Sequence, residues 1–359
     1  MINIGVDLHK TQFTTCVYSE NGKKFSRYPT TPDGYADFLK DVIIWQKEGH
    51  QVRAGVESTG NTRYFKQQLE KWGIEVIAIN TSKFKVITES ANKTDQHDAS
   101  TIVEFLEKDM LPEVKLCSQE SEQLRRLLKV RTTLIRTIVV VKNQIHALLS
   151  SLGMEDMKGS LQSKRGRLRV QSSLVEAGIE LVVQPLFHTI EQLSLNVKHI
   201  EEELEKLTES DHTVKLLLTI PGCGNISAWT IRAYTDDIKR FLTAKKYASY
   251  TGMTPWVRNS NESIHHGKIT KHGSKELRTA IVQVVLGMRR YHKVTDSWRL
   301  MRRHEYLKDH KGSGKAIIAT GRKVATIIWH MLTMEKEFNI EMMHNKKLQQ
   351  KAEKMRKSA

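Results

Sequence analysis

The sequence predicts an α/β amino-terminal domain, two long amphipathic helices, and a mostly helical carboxy-terminal unit. Three observations carry that expectation. Up to Lys108, short apolar runs of strand length alternate with longer segments of helical period. Between 119 and 207, apolar residues recur at steps of three and four. Beyond Leu216, helical periodicity continues around a Pro-Gly-Cys-Gly turn.

Taken in order, Ile2 to Leu8 is a short apolar strand. Residues 12 to 18 and 24 to 28 flank Asn21-Gly22, the strongest short hairpin signal, so the first three strands form an antiparallel meander. Pro32 to Glu48 has Tyr35, Phe38, Leu39, Val42 and Trp45 near helical spacing. Gln51 to Glu57 is a fourth strand, Arg63 to Trp72 a helix, Ile74 to Ile79 a fifth strand, and Thr94 to Lys108 a helix. The order βββαβαβα is that of a ribonuclease-H-like domain.

The next stretch, 119 to 152, reads as one long helix in which Arg131 is a polar interruption. A loop rich in Lys, Arg, Gly and Ser is expected from Lys158 to Ser173. A second seam then runs Leu186, Ile190, Leu193, Val197, Ile200, Leu204, Leu207. The two helices are expected to pair as an antiparallel or intermolecular coiled coil, or to form an ordinary helical core. Leu216 to Tyr234 has the helix, glycine turn and helix of a helix-hairpin-helix, in which Gly222 and Gly224 would present backbone N–H groups to a phosphate. The expected divisions are 1–112, 113–213, 214–340 and a basic tail, 341–359.

Composition narrows the function. The chain has 359 residues, more than the roughly 250 to 300 at which single cores stop growing. Lys and Arg number 57 against 40 Asp and Glu, a formal net charge of +17, which points to a polyanionic partner. Cys16, Cys117 and Cys223 lie far apart, supporting neither a disulfide framework nor a zinc knuckle. The opening MINIGVDLHK lacks a signal-peptide pattern, and no apolar run of about 18 residues occurs. The expectation is a soluble cytoplasmic protein without membrane contact.

Four carboxylates stand out. Asp7 ends the first strand, Glu57 ends the fourth, and Asp95 and Asp98 lie three apart at the start of a helix. In a ribonuclease-H-like sheet the first and fourth strands are neighbours, and i, i+3 spacing puts both helix acids on one face. Taken singly, Asp95 and Asp98 are also ordinary helix N-terminal acids, and Glu57 an ordinary turn residue. Together they would repel one another unless cations neutralised them. Two hard divalent ions about 4 Å apart, expected to be Mg²⁺, would do so while activating a nucleophile.

These residues also carry a resemblance. VDLHK around Asp7, GVESTG around Glu57 and KTDQHDA across Asp95 and Asp98 closely resemble the DEDD transposases of the insertion-sequence-110 family. The later segments IPGCG, TDDIKRF, ASYTGMTP and GKITKHGSKELR resemble the same family's transposase domain, in order, over nearly the whole chain. The resemblance implies a RuvC-like nuclease domain, a coiled-coil connector and a small helical transposase domain. It further implies a homodimer or tetramer acting on donor and target DNA with a structured guide (bridge) RNA.

The family also uses a serine nucleophile, in a Ser-Gly step between the segments matching TGMTP and GKITK. Here that step falls on Ser260-Asn261, making Ser260 the candidate and Ser263 the fallback. Asn261 replaces the usual glycine; asparagine also tolerates left-handed backbone. A serine needs a base, a metal or nearby cations to react. His265, His266, Lys268, Lys271 and Arg278 could meet a phosphate there, or make non-specific backbone contacts.

Lys164, Arg165, Arg167 and Arg169 form a further candidate nucleic-acid contact. Gly312-Ser313-Gly314-Lys315 is discarded as a phosphate loop, since the earlier glycine is missing and Ala316 follows the lysine. Three other readings compete: a junction-resolving nuclease that never rejoins, a non-catalytic nucleic-acid-binding descendant, and an actin-like sugar kinase. IGVDLHKT resembles the last, but His9-Lys10 stand where such a kinase needs glycines.

Overall fold

A computed structural model of the chain describes residues 1–19, 22–87, 94–260 and 263–343. The chain divides into two compact units, Met1–Cys117 and the remainder from Ser118.

The first unit is built on strands β1 (Ile2–Leu8), β2 (Gln12–Ser19), β3 (Gly22–Pro29), β4 (Val52–Glu57) and β5 (Glu75–Ile79). Their order is β3-β2-β1-β4-β5. The first three strands pair antiparallel, while β4 and β5 run parallel to β1. The expected meander is present and its β2–β3 pairing reaches Ser19↔Gly22; of the expected turn, Asn21 lies outside the described residues.

Helices α1 (Pro32–Lys47), α2 (Thr62–Glu70), α3 (Thr81–Ile87) and α4 (Asp95–Glu107) complete the unit. Thr31 caps α1 by accepting from the Gly34 N–H. Its buried Tyr35, Phe38, Leu39 and Val42 join Ile4, Val6, Phe13 and Val56, the buried face of the sheet. The other face meets α4 through Cys16, Ala99 and Val103. Alternation along a strand divides the two faces, so Ile4, Val6 and Leu8 project one way and Gly5 and Asp7 the other. Helix α3 was not anticipated; Asn80 starts it by accepting from the Lys83 N–H, and its Phe84 is buried with Ile79 and Ile102.

The second unit comprises α5 (Gln119–Ser151), α6 (Lys164–Glu176), α7 (Glu180–Thr208), α8 (His212–Leu218), α9 (Asn225–Thr235) and α10 (Ala244–Tyr250). It continues with a hairpin of β6 (Pro255–Ser260) and β7 (Ser263–Ile269), then α11 (Lys275–Arg290), α12 (His292–Thr295), α13 (Arg299–Lys311) and α14 (Ser313–Met334). Helices α5 and α7 pack antiparallel within the chain. Leu124 and Leu128 share a core with Leu204, while Ile138, Val141, Ile145 and Leu149 share one with Val183, Phe187, Ile190 and Val197. The polar interruption at Arg131 is met from α7: its Nε donates to Glu201 Oε1 at 2.7 Å.

One expectation is corrected. The stretch expected as a loop, 158 to 173, is a 3-10 turn (Glu155–Gln162) followed by α6, whose N-terminus is capped by Ser163 accepting from the Gly166 N–H. Its basic first turn and Gly166 oppose helix formation, but burial of Leu161, Val170 and Leu174 against α5 and α7 outweighs them. The polar stretch around Ser260 forms a β-hairpin, paired from Pro255↔Ile269 to Ser260↔Ser263. The basic tail lies outside the described residues from 344 onward. Among the described residues no helix is long and apolar enough to cross a membrane.

Among the described residues, the core of α8 to α14 encloses one histidine. His304 is fully buried; its Nδ1 lies 3.0 Å from Thr320 Oγ1, and its Nε2 has no hydrogen-bond partner. Burial pushes its pKa below the ordinary imidazole value. Below about pH 6.5 the unfolded chain therefore takes up a proton that the folded state refuses, so stability falls as pH drops through that range. Thermal melts at about pH 7.5 and about pH 5.5 should give a larger drop for the native protein than for His304→Gln, which cannot titrate. Equal drops would mean that other groups set the acid sensitivity.

Candidate active site

Two glycines bring the acids together. A Cβ on Gly5 would lie 2.0 Å from the Ala99 carbonyl oxygen, and one on Gly55 2.9 Å from Ile102 Cγ2. Only glycine lets α4 approach β1 this closely. Asp7 and Glu57 each lie two residues beyond one of these glycines, so strand alternation directs both toward the face that α4 covers. They directly follow the last registered pair of the two strands, Val6↔Val56. Helix α4 begins over this end of the sheet, with Thr94 as its cap accepting from the His97 N–H.

Side chains from the sheet hold the helix along its length. Lys23 of β3 donates to Ser100 Oγ at 2.7 Å and to Glu104 Oε1 at 2.5 Å. Arg53 of β4 donates to the Leu106 carbonyl at 2.9 Å and to Asp109 Oδ1 at 2.6 Å. The position of Asp95 relative to Asp7 is thus fixed by packing and by charge.

At the centre of the cluster stands His9, which sequence reasoning did not count as a site residue. Its Nε2 lies 3.0 Å from Asp7 Oδ2 and 3.5 Å from Asp95 Oδ1. One ligand-type atom from each of Asp7, His9 and Asp95 falls within 4.8 Å of the others. Arg27 Nη2 approaches Asp95 Oδ2 at 3.5 Å. Burial pushes the Asp7 carboxyl above the usual carboxylate range; His9 opposes this, and the negative charges of Asp95 and Asp98 add to it. The expected carboxylates thus appear in different strength: Asp7 and Asp95 offer oxygens within 4.8 Å of each other, Asp98 acts on Asp7 through its charge, and Glu57 ends the neighbouring strand.

The segment after Glu57 braces the same corner. Thr62 Oγ1 donates to the Glu57 carbonyl at 2.7 Å and accepts from the Thr59 N–H at 2.7 Å. Asn61 Nδ2 donates to the His9 carbonyl at 2.8 Å. Asn61 and Thr62, directly after the GVESTG motif, thereby position both Glu57 and the loop that bears His9. Oxygen-rich donors with one imidazole suit a hard divalent cation.

The remaining expected residues lie in the second unit. Ser260 and Ser263 close the β6–β7 hairpin as its last registered pair, and Asn261 lies outside the described residues. Lys164, Arg165, Arg167 and Arg169 occupy the first turns of α6. Gly222 has φ +88°, and a Cβ there would lie 2.4 Å from backbone atoms of Gly287 and Met288, so its lack of a side chain serves helix packing; a Cβ at Gly224 would meet open space. Arg278 is held inward, donating to the Thr251 carbonyl at 3.1 Å. Lys268 and Lys271 are exposed, the latter with left-handed backbone at φ 54°.

Comparison with known proteins finds family matches in both parts of the sequence. Residues 4–154 match the DEDD family model described as "Transposase", and residues 214–298 match that of the "Transposase IS116/IS110/IS902 family". The chain is a transposase by both halves. It belongs to the IS110 family. It is 25% identical to the transposase for insertion sequence element IS1111A of Coxiella burnetii, across 93% of this chain and 90% of that protein. The transposase of IS1328 from Yersinia enterocolitica is 26% identical, across 78% and 81%. A pilin gene-inverting protein of Moraxella bovis is 24% identical, across 94% and 97%.

Proposed function

We propose that this transposase cuts and rejoins donor and target DNA through a phosphoserine intermediate, with Asp7, Glu57, Asp95 and Asp98 as its metal-binding carboxylates and Ser260 as nucleophile. The observation that carries the reading is the approach of Asp7 to Asp95 beneath α4, with His9 between them. The sheet order, three antiparallel strands followed by two parallel ones, supports a ribonuclease-H-like, RuvC-like domain. In this reading the nuclease domain spans 1–112, the connector 113–213 and the transposase domain 214–340, ahead of a basic tail.

Mg²⁺, two ions per site, would be held by the four carboxylates and would supply charge neutralisation at the scissile phosphate. His9 orients Asp7 and Asp95 and can carry a proton to or from that corner. Attack forms a bond from Ser260 Oγ to phosphorus and breaks the bond to one strand's ester oxygen. The serine proton leaves and the departing oxygen gains one. Attack by a second strand's hydroxyl reverses the exchange and frees the serine, so bond energy is conserved for rejoining. Lys268 and Lys271 lie near this step in sequence and would meet backbone phosphates, as would the basic turns of α6.

A bridge RNA would supply sequence choice, and a dimer or tetramer would bring the paired sites together. Rejoining rather than hydrolysis alone is favoured by the pilin gene-inverting relative, since inversion requires every cut end to be joined again. The test is a reaction of purified protein with Mg²⁺, the element's flanking transcript and labelled DNA, resolved on a denaturing gel. The expected result is a protein-linked DNA adduct and joined product, both lost in Ser260→Ala. Cleaved ends without adduct, unaffected by Ser260→Ala, would leave a junction-resolving nuclease.

A further inference from the structure

The second unit carries a groove of about 1350 Å³ that the carboxylate site does not use. This exceeds the roughly 300–1,000 Å³ of a small-molecule pocket. Its floor is apolar, formed by Met253, Ile269, Leu300, Leu307 and Ile318. Behind the floor, the His304–Thr320 contact ties α13 to α14.

The rim is of one charge. Helix α13 supplies Arg303 and Lys311, and α14 supplies Lys315, Arg322 and Lys323. Lys245 of α10, Lys268 of β7 and Lys271 after it close the circle. All of these cations are exposed, and among the described residues no acidic one lines the groove. None of them makes an ion pair with a described residue, whereas Arg289 and Lys308 nearby both reach Glu305. So many unpaired like charges repel one another unless a polyanion lies among them.

We infer that this groove holds an unpaired stretch of polynucleotide strand, its phosphates on the rim and its bases against the aliphatic floor. The inference rests on the nucleic-acid chemistry proposed above and names a strand site for it. Rim cations alone would suit any polyanion, but the floor distinguishes among them. Bases in a duplex have already buried their faces, whereas an unpaired strand gains by covering them against apolar side chains. The groove adjoins the hairpin that Ser260 ends, through Pro255 and Gly267. On the same hairpin the indole of Trp256 occupies the place a Cβ on Gly267 would take, leaving an aromatic surface 46% exposed.

The experiment uses the full chain with labelled oligothymidylate of about 16 nucleotides, the upper site size of a single-strand-binding fold, and a duplex of equal length. Arg322→Glu combined with Lys323→Glu should weaken the unpaired strand roughly tenfold or more and lower its log–log salt slope by about 1.4. Ile318→Asn should weaken the unpaired strand and spare the duplex. Photocrosslinking of the native protein to an iodouracil strand should mark peptides within 244–271 and 300–326, which guards against variants that misfold. Crosslinks confined elsewhere, equal loss of both ligands in Ile318→Asn, or equal displacement by polyglutamate would each overturn the assignment. Binding is read without strand exchange, so an inactive Ser260 or a dispensable Asp7 would count against the proposed reaction and not against the groove.

Discussion

Asp7→Asn is expected to abolish strand exchange, by roughly 10³-fold or more, as for loss of a principal electrostatic group, while raising the thermal stability of the metal-free protein. Both effects have the same origin. In the folded protein Asp7 is held above the usual carboxylate range by burial and by Asp95 and Asp98, with His9 only partly compensating. A carboxylate whose folded pKa is raised costs stability at every pH above its unfolded value, and that cost is recovered as pH falls through the folded pKa. Asparagine keeps the shape and removes the charge, so the melting temperature at neutral pH should rise. Added Mg²⁺ should then raise the melting temperature of the native protein and not that of the variant. Nucleic-acid binding, measured by anisotropy, should be largely retained. A variant that loses binding and activity together, and melts lower, would mean that Asp7 holds the sheet rather than the chemistry.

What the sequence made legible follows from how local each signal is. The five strands of the first unit announce themselves by short apolar runs and turn residues, and Asp7, Glu57, Asp95 and Asp98 by standing at element ends. His9 was not legible as a site residue because its role depends on Asp95, 86 positions away, and on the close approach that Gly5 permits. Helix α6 reads as a loop because Gly166 and a basic first turn are poor helix formers; the burial that rescues it comes from α5 and α7. The β6–β7 hairpin escaped because Arg258, Asn259 and Ser260 face Ser263, Ile264 and His265, a ribbon with little apolar alternation to detect. The groove is assembled from five elements spread over residues 244 to 326, so no window of sequence contains it. Lys315, discarded from the sequence as part of a phosphate loop, stands on that rim beside residues distant from it in sequence.

The spacing of α4 above the sheet yields the second large effect. In Gly5→Ala the new methyl would stand 2.0 Å from the Ala99 carbonyl oxygen and 2.6 Å from the Val103 nitrogen. Both are backbone atoms, so no side chain can turn aside and the helix itself must retreat. Overpacking of this kind costs roughly 1–3 kcal/mol. Gly55→Ala meets only the ends of Ile102 and Leu111, at 2.9 Å each, and should cost less, since those side chains can shift. Activity should fall further than stability. A retreat of α4 lifts Asp95 away from Asp7 and His9, and misplacement by about 1 Å can cost 10²-fold in rate. The control is Val103→Ala, which opens a cavity beneath the same helix at a comparable cost of roughly 1–3 kcal/mol without forcing it off the sheet. Well below both melting temperatures, Val103→Ala should retain strand exchange and Gly5→Ala should lose it. If the two variants instead lose activity in proportion to their unfolded fractions, the close approach at Gly5 serves the fold alone, and the meeting of Asp7 with Asp95 is not what sets the rate.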